Sequence, residues 1–586
     1  MSIQAASGQQ STASAEVEVT IPAGYTWFFI ENATDQIDDL LYDELSWKDP
    51  DAQYKDAYKR GAWDGLHHLY KKDNHMAPIG LLDRAIEILE ANGYTVSVTS
   101  EGDSSGDSIS TEWTFSDELR NYQLQAVSNA LENSGGMIAL PTGAGKTVVA
   151  MNLINAIEQR TIVFVHTQEL LYQWQERLED TLGVAVGLIG DGQWNEGEVT
   201  VATMQTLNKR GLGNLNESYG IGIFDEAHVT SASEKFQQVG LDIDLEWRFG
   251  LSATPWRSVD GEEMEIEAAI GGEAVTVDAE QLIDEGYLAE PKFEFIEPTN
   301  ARVPRSDESY QEVVKRCLEL GPNRNQAVAE KANNLAGDGY TVLVTVNRIA
   351  QGHLLEYALD PTLDAQAVLD DLIEDDDEPG EQQMKARALE KMSQVGDHTA
   401  EFIQGPNTTK QRQEALSAFG DGDIDILIST VLKEGADIPS ISAIVLAEGG
   451  KSKIEKIQRI GRALRPNDDH AVIADIEDRG EYLRDHYETR VENYKEYYGK
   501  YGPDNGFTPR EQAVRNYLQE NGVPLNACRV SENDLGTVTI ELTDYLGDHD
   551  FQNFRSVMQR TSGITYDGSK NRCDLSWVRS LTQPSV

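Results

Sequence analysis

The chain has 586 residues, 39% of them apolar, enough to core roughly three or four domains of about 100–200 residues each. It carries 100 acidic against 49 basic residues, and the formal charge of -51 is spread along the whole length rather than gathered in a tail. No apolar run approaches the roughly 18–20 residues that cross a bilayer as a helix, so no membrane partner is expected.

Charge this negative opposes compaction and repels nucleic acid in dilute buffer. At molar salt the Debye length shrinks to about 3 Å and both penalties fade, so a salt-adapted, haloarchaeal-type cytoplasm is expected. Residues 1–16 read as a disordered leader, because no basic start precedes an apolar stretch as a secretory signal requires. Cys317, Cys528 and Cys573 lie far apart with no CxxC pair, which argues against a zinc site or disulfide framework and fits a reducing compartment.

Residues 17–100 alternate strands and helices. "VEVTIP" and "YTWFFIE" read as strands, "IGLLDRAIEILEANG" as an amphipathic helix ending at Gly93, and "YTVSVTS" as a strand. Within this module Tyr54–Lys72, "YKDAYKRGAWDGLHHLYKK", is a basic island in an acidic chain. Lys55, Lys59, Arg60, Lys71 and Lys72 interleave with Tyr54, Tyr58, Trp63, His67, His68 and Tyr70. Aromatic faces beside cations suit stacked bases and phosphates. The alternative is an aromatic core strip with snorkelling lysines. Residues 101–112, polar and rich in Ser, Gly and Asp, form a linker.

Residues 113–290 bring short β-branched runs alternating with helices: "GMIAL", "TIVFVHT", "VTVAT", "IGIFDE", "RFGLSAT". A second such series fills residues 291–500: "YTVLVTV", "TAEFIQG", "IDILIST", "AIVLAE", "HAVIADI". Each series predicts a parallel sheet with helices on its faces. The fold class is therefore α/β, two tandem parallel-sheet domains with a small N-terminal α+β module and a C-terminal appendix. Residues 360–397, which include "DDLIEDDDEPGEQQ", read as an acidic helical insertion lying as a solvated surface excursion. Residues 501–586 suggest a small βαβ-type accessory module.

"ALPTGAGKTVVA", Ala139–Ala150, sits between a strand and a helix, the context of a phosphate-binding P-loop. Leu140 stands where the usual pattern has its first glycine, so Pro141 and Gly143 begin the turn. Gly143, Ala144 and Gly145 let the backbone approach an anion at a helix N-terminus. Lys146 would face the β/γ-phosphates of ATP and Thr147 would hold Mg²⁺. "IGIFDEAH" ends an apolar strand on Asp225 and Glu226, the first for Mg²⁺ through water and the second for polarising the attacking water.

In this order the motifs resemble those of superfamily 2 helicases and translocases, over Leu119–Asp478. The resemblance implies two RecA-like domains. It implies that Gln123 of "LRNYQ" reads adenine, and that His228 links Glu226 to Ser252 and Thr254 of "LSATP", which couple hydrolysis to movement. "LISTVLKEGADIP" resembles motif V, with Thr430 on the strand and Gly435 and Asp437 toward nucleotide. "QRIGRALRP" resembles motif VI, with Gln458 and the arginines Arg462 and Arg465. Those two are three apart and on a helix would share a face; an arginine finger of this kind contributes about 10³–10⁵ in rate. Nucleic-acid contacts are implied at Thr167 and Gln168, at Thr203 and Gln205, and at Asn347, neutral groups able to bind phosphate without lysine. The island and the helix after it are similar to the N-terminal domain of phage UvsW helicases. The motor also resembles XPB, but "PWRSVDGEE" lacks the Arg-Glu-Asp triplet of that family.

The expected enzyme is thus an ATP-dependent DNA helicase with Mg²⁺, acting 3′→5′ on branched, forked or duplex DNA in repair or recombination. Two rivals stand beside it, a duplex translocase that remodels bound proteins and an ATP-gated DNA-binding scaffold. RNA substrates stay open, since nothing reads a 2′-OH.

Overall fold

The computed structural model describes residues 16–22, 26–101, 106–109, 119–182, 185–212, 215, 218–230, 239–254, 261–305, 308–374, 377–431, 441–464, 470–480, 482–503, 517–518, 528–532, 538–542, 564–567 and 572–575. The expected leader lies outside them but for Glu16, as does most of the linker. The chain divides into two compact units, Met1–Asp278 and Ala279–Val586. Among the described residues no helix is long and apolar enough to cross a membrane.

The first unit contains an eight-stranded sheet. Its spatial order is Gln193–Asn195, Gly187–Gly190, Val199–Thr203, Thr161–Val165, Ile221–Asp225, Trp247–Ser252, Gly135–Ala139, Glu273–Thr276. Every neighbouring pair is parallel except the first. Strands such as Thr161–Val165 and Ile221–Asp225 are buried at every position, as their unbroken apolar runs require when helices cover both faces. Because four of these strands run side by side in one direction, the residues that follow Ala139, Val165, Asp225 and Ser252 emerge at one edge. Ligands bind at the carboxyl ends of such strands.

The N-terminal module belongs to this unit. Its four-stranded sheet orders Met76–Pro78, Trp27–Ile30, Glu16–Ile21, Thr95–Ser100. Thr34 caps helix Asp35–Glu44 by accepting from the Ile37 amide. That helix and Leu82–Ala91 lay Ile37, Leu41, Ala85 and Leu89 on the sheet, in a cluster that also takes in Ala268. The module is fastened to the larger domain by polar contacts as well. Arg84 donates to both oxygens of Glu267 at 3.0 and 2.9 Å, and the Trp47 indole N–H donates to Glu265 at 3.2 Å. A Cβ on Gly80 would stand 2.1 Å from the Glu267 carbonyl oxygen, so the backbones meet there with no room for a side chain.

In the second unit a six-stranded, wholly parallel sheet orders Glu290–Ile296, His470–Ile476, Ala443–Leu446, Val342–Thr345, Ile426–Ser429, Ala400–Ile403. The expected α/β class and tandem parallel sheets are thus present. Two expectations change. The acidic insertion is not a mere solvated excursion: helices Ala365–Leu372 and Pro379–Glu390 bury Val368, Leu372, Ala388 and Leu389 in the same core as Leu354 and Leu355. Asp370, Asp371, Glu374 and Glu378 face water, while Lys385 and Asp377 pair at 2.7 Å, 4% and 5% exposed. The C-terminal appendix is not βαβ-type among its described residues. Cys528–Glu532, Val538–Leu542, Arg572–Leu575 and Ile564–Asp567 pair antiparallel in that order, whereas a βαβ unit joins parallel strands.

Candidate active site

The strand Gly135–Ala139 is followed by the loop Leu140–Gly145 and then by the helix Lys146–Ile157. Leu140 donates its amide to the Ser252 carbonyl at 2.9 Å and is fully buried. It therefore continues the sheet rather than turning, which explains why a glycine is not needed there. The turn falls at Gly143 and Gly145, with φ of 85° and 82°, the left-handed region that glycine enters without strain. A Cβ on Gly145 would lie 2.5 Å from the Gln123 amide nitrogen. Gln123 Nε2 in turn donates to the Ala144 carbonyl at 3.0 Å, and the Tyr122 hydroxyl donates to the same oxygen at 2.7 Å. Gln123 so braces the loop from behind; Tyr122 was not anticipated in this role.

The candidate catalytic groups gather at the adjacent strand ends. Lys146 Nζ stands 3.6 Å from Glu226 Oε1. Glu226 takes φ of 47°, a left-handed backbone that costs a non-glycine residue about 1–2 kcal/mol. Its other oxygen stands 3.5 Å from His228 Nδ1, and that same nitrogen meets Ser252 Oγ at 2.8 Å. Ser252 Oγ also accepts the Thr254 amide at 3.0 Å. Asp225 is deeply buried. Burial and the neighbouring Glu226 push its carboxyl up to about 6, against the hydrogen bond from Trp174 and the charge of Lys146.

Two donors in this site escaped the sequence reading. The Trp174 indole N–H meets Asp225 Oδ2 at 2.7 Å, and Arg177 Nη1 meets Thr147 Oγ1 at 3.2 Å. The tryptophan closes the stretch "VHTQELLYQW", Val165–Trp174, and a lone buried aromatic at helical spacing gives no sign of its acceptor.

The residues fit a magnesium nucleotide. Thr147 and Asp225 offer hard oxygen donors, the chemistry Mg²⁺ takes. The glycine turn leaves the helix N-terminus open to an anion. Thr142 Oγ1 is buried in the loop with no hydrogen-bond partner among the described residues, a polar group that a bound phosphate would satisfy.

In the second unit helix Lys453–Ala463 buries Gln458, Arg459 and Arg462. Arg459 points inward. It pairs with Glu448, which also takes Lys456 Nζ at 2.5 Å, and its Nη2 donates to Asn347 Oδ1 at 3.4 Å. Burial would raise the Glu448 carboxyl, but Arg459 and Lys456 hold it down at about 2. Asn347 thus serves this cluster. The helix ends at Ala463, and the expected pairing of Arg462 with Arg465 on one face falls outside the described residues. Arg465 itself lies outside the described residues, as do Gly435 and Asp437. Thr430 donates its amide to the Ile403 carbonyl at 3.2 Å.

The strand-contact candidates of the first unit converge. Thr167 Oγ1 accepts the Leu170 amide at 3.2 Å as a helix cap. Gln205 Nε2 donates to the His166 carbonyl at 2.9 Å, which ties the two loops together. Gln168 Nε2 reaches Asp191 at 3.3 Å, while Thr203 is buried and donates to Thr206 at 2.8 Å.

Comparison with known proteins now bears on the chain. Residues 116–257 match the family "Type III restriction enzyme, res subunit", and residues 380–467 match "Helicase conserved C-terminal domain". These are the two segments that carry the P-loop, the Asp225–Glu226 pair and Arg462. The chain carries the two domains of a superfamily 2 helicase.

Among relatives of this helicase, "DNA 3'-5' translocase XPB2" of Sulfurisphaera tokodaii is 29% identical over 62% of the chain and 82% of its own length. "Putative DNA 3'-5' helicase Rad25" of Haloarcula marismortui is 29% identical over 61% of the chain and 52% of its own length. The chain thus spans about half the length of that second relative. "ATP-dependent DNA helicase uvsW" of Enterobacteria phage T4 is 23% identical over 72% of the chain and 83% of its own length. The solved structure of T4 UvsW covers 82% of the chain and 97% of its own, at 20% identity and a TM-score of 0.37.

In this helicase the basic island proves partly neutralised. Lys55 pairs with Asp49 at 2.6 Å and Lys72 with Asp39 at 2.6 Å. Lys71 lies over the Trp27 ring at 4.3 Å. His67 stacks on Trp47 and His68 on Tyr42. Tyr70 is buried and donates to Asp38 at 2.6 Å. Lys59 and Arg60 stay exposed, as do Tyr54 at 69% and Tyr58 at 40%. The island is therefore half core strip and half open surface, along a line drawn by carboxylates outside it.

Proposed function

We propose that this helicase is an ATP-dependent, 3′→5′ DNA helicase or translocase that remodels branched, forked or duplex DNA in repair or recombination. The observation that carries the reading is the unbroken run of contacts from Lys146 through Glu226 and His228 to Ser252. It ties the phosphate loop to the strand end that couples hydrolysis to movement. Lys146 and the loop amides would bind the β/γ-phosphates, and Thr147 and Asp225 would hold Mg²⁺. When bound, that ion supplies charge neutralisation at the transferred phosphoryl group. Glu226 would orient the attacking water. Gln123 would read the adenine, with Gly435 and Asp437 facing the nucleotide. Arg462 and Arg465 would supply the positive charges that hydrolysis requires, so that turnover depends on closure of the two helicase domains. Thr167, Gln168, Gln205 and Thr430 would meet the strand, and the N-terminal module would grip duplex or a junction. The acid-rich composition supports a high-salt cytoplasm as the working environment.

ATPase and unwinding in multi-molar KCl test this on single-stranded DNA, duplex, forks, four-way junctions and RNA. Junction-stimulated turnover with fork unwinding is expected. Turnover stimulated by duplex without strand separation selects the second reading, a translocase, which the name of the Sulfurisphaera relative favours. DNA binding without turnover overturns both.

A further inference from the structure

Helix Gln168–Leu182 carries two hydrogen-bond donors three residues apart, and residues so spaced share a face. Leu171 and Leu178, both fully buried, pin that helix to its domain on either side of Trp174, itself 4% exposed. Trp174 meets Asp225 and, one turn later, Arg177 meets Thr147. Their acceptors come from different elements: Asp225 ends a strand and Thr147 opens the helix of the phosphate loop. They are the two protein groups assigned above to Mg²⁺. A single helix face therefore holds both by one hydrogen bond each.

We infer that Trp174 and Arg177 are positioning residues for the magnesium site, fixing the Asp225 carboxylate and the Thr147 hydroxyl before the ion arrives. The inference rests on the nucleotide-site reading of the preceding section. Its chemistry follows from donor and acceptor capacity. An indole N–H has one proton to give and engages Oδ2; a carboxylate has about four lone-pair sites, so coordination at the remaining ones stays open. A hydroxyl that accepts from a guanidinium keeps a second lone pair for a metal. Neither donor can itself ligate a cation, because neither carries an acceptor. Each can only aim the group that does. The guanidinium beside the site is tolerated because the triphosphate brings more negative charge than the ion neutralises. Removing partners that orient metal ligands typically costs 10–100-fold in metal affinity.

The test uses the full chain with Trp174→Phe, which keeps the ring bulk and drops the N–H, and Arg177→Gln, an exposed position where folding is not at stake. A fluorescent ATP analogue is titrated in EDTA and across a Mg²⁺ series, with melting temperature as a check on the fold. Each variant is expected to raise the Mg²⁺ midpoint for tight nucleotide binding by about 10–100-fold. Affinity in EDTA should stay within about twofold of the parent, and kcat should return at high Mg²⁺, since the ligands themselves remain. An unchanged midpoint in Arg177→Gln overturns the part given to Arg177, and in a folded Trp174→Phe the part given to Trp174. Equal weakening with and without Mg²⁺ overturns the inference as a whole, because general damage to the pocket would then explain it. A parent that binds no nucleotide overturns the site reading itself, and this inference with it.

Discussion

His228 Nδ1 stands 2.8 Å from Ser252 Oγ and 3.5 Å from Glu226 Oε2, so one imidazole nitrogen faces both the Glu226 carboxylate and the strand end beyond it. Ser252 passes the contact on by accepting the Thr254 amide. Under the proposed function, a change at Glu226 on hydrolysis would thereby reach the neighbouring strand of the sheet. His228→Ala should leave nucleotide affinity near the parent value. It should remove most DNA stimulation of turnover, a coupling of about 5–150-fold when sites are linked by 1–3 kcal/mol. ATPase measured with and without a fork decides. Stimulation preserved in full would make His228 a packing residue.

Lys146 Nζ finds Glu226 Oε1 at 3.6 Å across the loop. A phosphate would compete for the same charge. Lys146→Ala should cut kcat by on the order of 10²–10³ or more, the loss typical of removing one preorganised charge from a reacting centre. DNA affinity without nucleotide should not move, because the lysine opens the helix after the phosphate loop and is not among the strand-contact candidates. Normal turnover in this variant would remove the assignment of the site.

What the sequence disclosed depended on how far apart the interacting residues lie. Gly143–Thr147 and Asp225–His228 were legible because their chemistry fixes residue types within a few positions. The strands were legible because full burial writes unbroken apolar runs. Trp174 and Arg177 were not, since each finds its partner across a stretch of sheet and helix that no local pattern spans. The island misled for a related reason. Its cations were plain, but Asp39 and Asp49, which pair with two of them, stand outside the stretch. Arg459 was passed over beside Arg462 because only the fold shows that it turns toward Glu448. The insertion was read by its acids and not by Val368, Leu372 and Leu389, which join the core.

The open half of the island makes a sharper prediction than its total charge. Tyr54 and Tyr58 expose their rings next to Lys59 and Arg60, while Lys55 and Lys72 are held by carboxylates. Tyr54→Ala with Tyr58→Ala should weaken binding to a junction with single-stranded arms by about 1–3 kcal/mol per stacked base. Changing Lys59 and Arg60 to Glu should weaken it further and should matter less as salt rises. Lys72→Glu should have little effect on affinity. Fluorescence anisotropy over a KCl series reads all three. Equal loss from Lys72→Glu and from the Lys59 and Arg60 pair would return the whole island to a diffuse charge effect.

Glu448 anchors the other half of the motor. Its side chain is 0% exposed and meets Thr345, Lys456 and Arg459. Burial works against its charge, yet Arg459 and Lys456 lower it from 4.5 to about 2. Burial also drives Lys456 down to about 8, and the charge of Arg459 outweighs that of Lys456 in holding the carboxylate down. A carboxyl with a depressed folded value contributes stability above its unfolded value, and that stability is lost as pH falls through the folded one. The window here runs from about pH 4.5 down to about pH 2, and the shift corresponds to about 3 kcal/mol. Glu448→Gln leaves two buried cations facing a neutral amide, which should cost about 3–5 kcal/mol at neutral pH. The difference between parent and variant should shrink as acid protonates Glu448 in the parent. Because the cluster is shut off from solvent, molar KCl should leave that difference intact, unlike an exposed pair. Acid and denaturant unfolding of both proteins, at low and high KCl, measure it. A variant that tracks the parent at every pH would show that Arg459 and Lys456 find compensation elsewhere, and that Glu448 does not hold the helix of Arg462 in place.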